Sequence, residues 1–320
     1  MEYGSIPGAR VPVSRLVQGT VPLDANDRER SFALLDGVFA SGCTMFDTAR
    51  HYGGGREELF GEWVASRGVR DRIAVLGKGA HHSPERRRVT PEDITDDLHT
   101  SLTAFGFDFI DLYLLHRDDP AVPVGPIVER LAQHQREGKI GGFGGSNWSH
   151  ERIAEANSYA EEHGLPGFVA SSPNFSLATW VQPPWPECVS ISGPAGANAR
   201  AWYAGNQMPV IPWSSLAGGW FSGRYRRDNL DSFTDYYEKN CAESYGSEAN
   251  FQILDRSLEL GATYGLTQAQ IALAYVLSSP VNVFALTGCR TPAEFAENAA
   301  AVDVRLTPDE VRWLETGERS

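Results

Sequence analysis

The sequence predicts a closed α/β barrel of the TIM (β/α)8 type on three observations. Short apolar runs alternate with segments of helical period along the whole chain, the alternation yields eight strand candidates, and polar residues end several of those strands on the same side. An open doubly wound sheet is the structural competitor, since it is built from the same βα units. At 320 residues the chain is long enough for two average domains, but barrels of about 250 residues or more form one. No stretch has linker composition, so a single barrel domain over 1–320 is the expectation.

The strand candidates are residues 14–19, 44–48, 73–78, 111–116, 140–146, 168–172, 210–214 and 283–288, short runs that alternate with longer segments of helical period. Between them, residues 28–40, 57–66, 91–104, 127–137 and 151–162 have helical period, with Thr90 and Ser149 as N-caps. A right-handed return after each strand makes the sheet parallel, and eight such units close it. Two stretches break the rhythm: the Pro-rich run 182–186 and the long segment 218–246. Long rim loops of this kind serve as lids or binding loops.

A formal charge of -13 excludes a nucleic-acid partner, which would need clustered Lys and Arg. Cys43, Cys188, Cys241 and Cys289 form no CxxC pair and no Cys/His ligand spacing, so neither a disulfide framework nor a zinc site is indicated, and a reducing cytoplasm fits. The first residues carry prolines, glycines and charges where a signal peptide needs an apolar stretch, and no run reaches membrane-spanning length. The expectation is a cytoplasmic protein without a membrane partner, its oligomeric state left open.

The chemistry lies in the polar residues that end apolar strands. Asp47 follows 44–46, Lys78 follows 73–77 and His116 follows 112–115. In a barrel all strands point the same way, so three consecutive strands deliver these groups to the C-terminal rim. Tyr52 lies in the glycine-rich loop just after Asp47. Taken singly, the four read as a turn residue, a snorkelling lysine, a half-buried histidine and a packed aromatic. Together they are complementary. An ammonium favours a phenolate and lowers the tyrosine pKa, Asp47 keeps Lys78 charged when water is excluded, and His116 hydrogen-bonds a carbonyl oxygen. Such a group protonates an oxygen that is becoming an alkoxide. It contains no nucleophile beside a base and no metal-ligand set, so the electrons must come from a cofactor.

The chain resembles the aldo-keto reductase superfamily, on blocks spread over nearly its whole length: Phe46-Asp47-Thr48-Ala49 with Tyr52-Gly53, Leu76-Gly77-Lys78, Leu114-Leu115-His116-Arg117, Glu137-Gly138-Lys139-Ile140, Gly145-Ser146-Asn147, Trp213-Ser214-Ser215-Leu216-Ala217, and Gly288 with Glu297-Asn298. The resemblance implies an NAD(P)-dependent enzyme with a catalytic tetrad of Asp47, Tyr52, Lys78 and His116. It implies a cofactor site without a Rossmann loop. Gly19, Thr20 and Asp47 would border the nicotinamide, Ser146 and Asn147 would hold its carboxamide, and Trp213 would stack on its ring. Ser214, Ser215, Leu216 and Ala217 would approach the pyrophosphate with Arg224 nearby, and Gly288, Arg290, Thr291, Glu294 and Asn298 would surround the adenosine end. Residues before Ser14 resemble the hairpin that plugs the bottom of such barrels. Two positions depart from the pattern. Ser172, with Asn174 as the neighbouring choice, stands where many relatives carry a glutamine beneath the carboxamide. Glu294 stands where Arg or Gln is common, so NADP is favoured through Arg290 while NAD stays open through Glu294.

Substrate contacts are expected from His51, His82, Trp148 and Trp180, with Val21, Pro22, His81 and Trp220 as further rim candidates. Aromatic faces with scattered hydrogen-bonding groups suit sugars and polyols, and equally aldehydes and ketones. The same groups run in reverse would oxidise an alcohol or hemiacetal. Two readings from other classes stand beside this one. The first is a nucleotide-binding regulatory subunit, since barrel subunits of some membrane channels resemble the family. The second is a metal-dependent sugar isomerase or lyase, for which His81-His82 and Asp118-Asp119 are the nearest candidates.

Overall fold

The computed structural model describes residues 1–319. The chain opens with an antiparallel hairpin of β1 (Tyr3–Gly4) and β2 (Val13–Ser14). There follow β3 (Leu16–Gly19), β4 (Met45–Asp47), β5 (Ala74–Gly79), β6 (Ile110–Leu115), β7 (Ile140–Ser146) and β8 (Ala170–Ser172), paired in parallel in sequence order. The last strand, β9 (Ala285–Thr287), lies parallel to β3 on the other side.

The gap between β8 and β9 is filled by the expected strand at 210–214, which survives as one residue. Val210 bridges Ser171 and Val283 in parallel, through Ile211 N to Ser171 O at 2.8 Å and Val210 N to Asn282 O at 2.9 Å. Pro209 and Pro212 flank it, and a proline has no N–H to extend a ladder in either direction. All eight expected strand positions therefore contribute, and their closure distinguishes the barrel from the open sheet.

Helices Arg28–Ala40, Arg56–Arg67, Pro91–Phe105, Val124–Arg136 and His150–Glu162 return the chain after the first five barrel strands. Thr90 Oγ1 accepts the Asp93 N–H and Ser149 Oγ that of Arg152, the caps expected from sequence. The long segment 218–246 holds a helix of its own, Tyr236–Tyr245, opened by Asp235. Among the described residues no helix is long and apolar enough to cross a membrane.

Strand alternation sorts the core into two shells. Phe46, Val75, Tyr113 and Phe143 face the helices, while Val17, Met45, Leu76, Leu112, Leu114 and Phe284 fill the interior. The hairpin adds Ile6 and Val13 to the interior shell, so it is the plug the resemblance implied. It fits because β7 is glycine-rich: a Cβ on Gly141 would lie 2.2 Å from Gly8 O, and one on Gly142 2.6 Å from Pro7 O. The same alternation carries the site. Asp47, Lys78 and His116 stand two residues beyond the interior residues Met45, Leu76 and Leu114, and so form the next layer up.

Ile6 is 2% exposed, and truncating it leaves a cavity beneath the interior layer. Ile6→Ala should lower unfolding stability in urea by about 2–4 kcal/mol. A loss below about 0.5 kcal/mol would mean that the hairpin does not seal the barrel.

Candidate active site

The top interior layer contains an ion pair. Lys78 Nζ donates to Asp47 Oδ1 and, at 3.1 Å, to Thr48 O; the two residues are 2% and 1% exposed. Burial pushes the Lys78 pKa down and the Asp47 pKa up, and the charge of each opposes the shift of the other. Tyr52 sits above the pair. Its loop is a 3-10 turn, Arg50–Tyr52, followed by Gly53, Gly54 and Gly55 with φ of 58, 61 and 70°, left-handed values that glycine adopts without strain. Arg56 pins the turn by donating to Tyr52 O at 2.9 Å and Val21 O at 3.1 Å. The phenol so placed approaches Asp47 Oδ2 at 3.5 Å, with Lys78 Nζ 5.5 Å from the ring centroid. The His116 ring crosses it edge-on at 5.9 Å.

One electrostatic expectation is corrected by this geometry. Lys78 does not lower the Tyr52 pKa here, because its charge is held by Asp47; burial and the Asp47 carboxylate raise the phenol well above its usual value. Tyr52 is thus a firmly protonated donor in the ligand-free arrangement. His116 is the reverse case, its pKa far below the usual imidazole value through burial and the nearby Lys78. Its Nδ1 is buried without a partner, and a bare lone pair is cheaper to bury than an unpaired N–H, which favours the proton on Nε2. Two further histidines pack on the mouth. His51 stacks on His81 at 3.4 Å and 7°, and His81 meets His116 edge-on at 4.8 Å. Burial lowers His81 to about 4.

The residues expected to hold a dinucleotide line the other half of the rim. Gln18 Oε1, Thr20 Oγ1 and Ser172 Oγ, at the ends of β3 and β8, are buried without hydrogen-bond partners, as polar groups awaiting a ligand would be. Trp213 is half-buried, and Ser214 and Ala217 have φ of 51 and 52°, followed by Gly218 and Gly219 at 64 and 100°. Such left-handed turns shape the backbone into an anion-binding concavity. Ser215 is buried, with its hydroxyl on Pro212 O, and Leu216 is half-buried. Arg224 pairs with Glu238 at 2.5 Å. Gly19 is buried, whereas Gly288 is exposed, and a Cβ there would meet only Pro22 Cγ at 4.0 Å. Thr291 caps the helix Pro292–Ala299, Glu294 accepts the Arg290 N–H at 2.7 Å, and Asn298 donates to Cys289 Sγ at 3.3 Å. The Arg290 guanidinium has no ion-pair partner among the described residues. These features fit a bound dinucleotide, with one difference of role. Asn147, at φ 58°, spends its carboxamide inside the protein: it donates to His116 O and Ser146 Oγ and accepts from Trp213 Nε1 and Val189 N. It positions the indole. Ser146 donates to Ser172 O at 2.9 Å, which leaves the Ser172 hydroxyl as the unpartnered group at that level.

The substrate expectations divide. His51 and His81 face the mouth, and Trp180 packs on Trp213 at 5.7 Å. His82 is engaged with Asp118 O and Glu187, each at 3.2 Å. Trp148 is corrected: it is fully buried in the outer core, packed on Phe168 in the space that Gly145 leaves, with Nε1 on Arg117 O. Trp220 is likewise buried, against Tyr225 and Phe251. Sequence reasoning missed Trp185, which packs on Trp213 at 5.8 Å and donates to Tyr236 OH at 2.9 Å. It also missed Tyr237, which lies near enough to help raise the Tyr52 pKa. The Pro-rich run was the signal for the first. Nothing in the sequence tells which way the second points.

The rim brings together a protonated phenol, an imidazole held towards its neutral form and a set of buried polar groups without partners, and among the described residues no nucleophile stands beside a base there. The chain belongs to the aldo/keto reductase family, whose model matches residues 15–316. It is 27% identical to the uncharacterized oxidoreductase YrpG of Bacillus subtilis, over 98% of this chain and 95% of that one. It is 26% identical to a probable voltage-gated potassium channel subunit beta of Oryza sativa subsp. japonica, over 98% and 96%. An aldo-keto reductase from Klebsiella pneumoniae, solved with NADPH, shares the fold with a TM-score of 0.72 at 24% identity, over 98% of this chain and 94% of that one.

The depressed histidine gives a pH signature. His81 folds with a pKa near 4 against about 6.5 unfolded. Above about 6.5 both states are neutral and nothing is contributed; as pH falls from there towards 4 only the unfolded state binds the proton, so stability is lost. His81→Asn should therefore lose about 1 kcal/mol less than the parent between pH 7 and 5 in urea unfolding, a figure reduced for partial exposure. Parallel losses in the two proteins would show that His81 is not held neutral.

Proposed function

We propose that the protein is an NADP-dependent reductase of small-molecule carbonyls, aldehydes, ketones or sugar-like compounds, in which Tyr52 delivers the proton to the carbonyl oxygen. The observation that carries the reading is the approach of Tyr52, from the loop above, to the interior layer that holds the Asp47–Lys78 pair and His116. Bound reduced dinucleotide supplies the hydride that the carbonyl carbon takes up. The residues do the rest. His116 Nε2–H donates to the carbonyl oxygen and fixes its position, and its neutrality leaves the proton transfer to the phenol. Tyr52 gives up its proton as the oxygen gains charge. The phenolate left behind is stabilised by Lys78 beneath its ring, once the Asp47 contact is relaxed, and regains a proton from solvent. With Tyr52 starting as phenolate the same groups accept a proton from an alcohol, so direction follows the cofactor supplied.

Arg290 supports NADP. Its side chain is exposed and without a carboxylate, whereas Glu294 is turned onto the Arg290 backbone, away from a 2'-hydroxyl role. All four cysteines are free thiols, in keeping with a reducing cytoplasm. A regulatory subunit is the second reading, favoured by the description of the rice relative. It requires nucleotide binding with little turnover, while the metal-dependent reading has no cluster of three or more candidate ligands among the described residues.

Tyr52→Phe should keep NADPH affinity, read as quenching of Trp213 fluorescence, and lower kcat for a good aldehyde by about 10²- to 10⁴-fold. Unchanged turnover would remove Tyr52 as the acid, and no turnover by the parent over a panel of aldehydes, ketones and sugars would favour the regulatory reading. Arg290→Ala should weaken NADPH binding by about tenfold and leave NADH binding nearly unaltered. Equal weakening of both would detach Arg290 from the 2'-phosphate.

A further inference from the structure

We infer that the substrate carries a carboxylate as well as its carbonyl, and that the Arg117 guanidinium, beside His116 at the end of β6, grips it. The inference rests on the reductase reading and narrows its substrate class.

Arg117 is 8% exposed, so its charge lies largely out of water. An arginine does not shed that charge by losing a proton. Four other arginines around the mouth each have a carboxylate: Arg50 has Glu57, Arg87 has Asp119, Arg88 has Asp93 and Asp97, and Arg152 has Asp118. A fifth, Arg56, is committed to the backbone carbonyls of Val21, Tyr52 and Gly53. Arg117 has none among the described residues. One nitrogen, Nη1, donates to the adjacent carbonyl of His116 at 3.1 Å. Its remaining nitrogens have no protein partner, yet none of them is sealed away from solvent. A buried cation without a counter-ion is costly, and the space its free donors reach is where a counter-ion belongs.

Its surroundings identify that space as the substrate side of the mouth. The positive field of Arg117 acts on His51, Tyr52, His81, His116 and Cys188. These residues stand on the loops after β4 and β5, at the end of β6 and just after the Pro-rich run, away from the 214–217 and 288–298 segments expected to hold the nucleotide. The charge to be matched is single. His51, His81 and His116 are all held towards the neutral form, so they add hydrogen bonds and no charge. Arg50, Arg87, Arg88 and Arg152 are neutralised by carboxylates, and the donors of Arg56 are taken up by backbone carbonyls. A planar guanidinium with a free edge matches a monoanionic carboxylate in bidentate fashion, whereas a phosphate dianion would require a second cation.

The experiment compares kcat/KM for 4-carboxybenzaldehyde, its neutral methyl ester and 4-formylphenyl phosphate, in the parent, Arg117→Met and Arg117→Lys, with NADPH. The parent should prefer the acid over the ester by about tenfold or more, Arg117→Met should abolish that ratio, and Arg117→Lys should restore part of it. A second readout needs no variant and no turnover: benzoate should bind the parent at least about tenfold more tightly than benzamide in titration calorimetry. Equal use of acid and ester by the parent, a ratio that survives in Arg117→Met, a uniform loss on both substrates, preference for the phosphate, or equal binding of benzoate and benzamide would each overturn the inference. Failure of the reductase reading looks different, because then none of the three aldehydes is reduced by the parent while the benzoate titration can still be read.

Discussion

The buried pair of Lys78 and Asp47 is the constraint on which the rest of the site depends. It sits on an interior packed with Val17, Met45, Leu76, Leu112 and Leu114, where neither charge could remain alone. Mutual neutralisation admits both to the layer and fixes the ends of β4 and β5 relative to each other. It also sets the starting state of Tyr52. With the lysine charge occupied, the phenol keeps its proton, and Lys78 is free to stabilise a phenolate only after a ligand disturbs the contact. Under the proposed mechanism the resting arrangement stores the acid, and substrate binding releases it.

Much of this was legible in the sequence because two periodicities carried it. Strand alternation put Asp47, Lys78 and His116 one step above an apolar ladder, so their convergence followed once the strands were counted, and Thr90 and Ser149 marked helix starts through local capping. What was not legible depends on directions that no local pattern encodes. Trp148 and Trp213 both look like rim aromatics, yet one turns outward into the space above Gly145 and the other stays at the mouth. That difference comes from contacts with Phe168 and Asn147, distant in sequence. The seventh strand was overread because its apolar run outweighed the prolines at 209 and 212, each of which removes a ladder donor. The isolation of Arg117 from the carboxylates of the described residues exists only in three dimensions, so no sequence pattern marks it.

The mouth separates its charges by side. On the substrate side His51, His81 and His116 are held towards the neutral form and the buried Arg117 lacks a carboxylate; on the nucleotide side, Arg224 is paired with Glu238 and Arg290 stands free in solvent. Holding the histidines neutral is what gives Arg117 its selectivity, because a protonated cluster would attract any anion, the cofactor phosphates included.

The two insertions meet over this mouth. Trp185 of the Pro-rich run packs on Trp213 and donates to Tyr236 on the helix within 218–246, while Glu187 pairs with Arg87 and His82 on the loop after β5. Asn147 joins this roof to the floor, since its single carboxamide oxygen accepts from both Trp213 Nε1 and Val189 N. A ring stacking on Trp213 has to share that indole with Trp180 and Trp185, and any shift of the indole pulls on the hydrogen bond that holds the base of the Pro-rich run. Under the proposed cofactor placement, seating of the nucleotide and placement of the roof would be one mechanical event, transmitted through a side chain whose left-handed backbone leaves it little freedom to compensate. This explains why Asn147 is better understood as a joint between the two halves of the site than as one more contact to the nicotinamide.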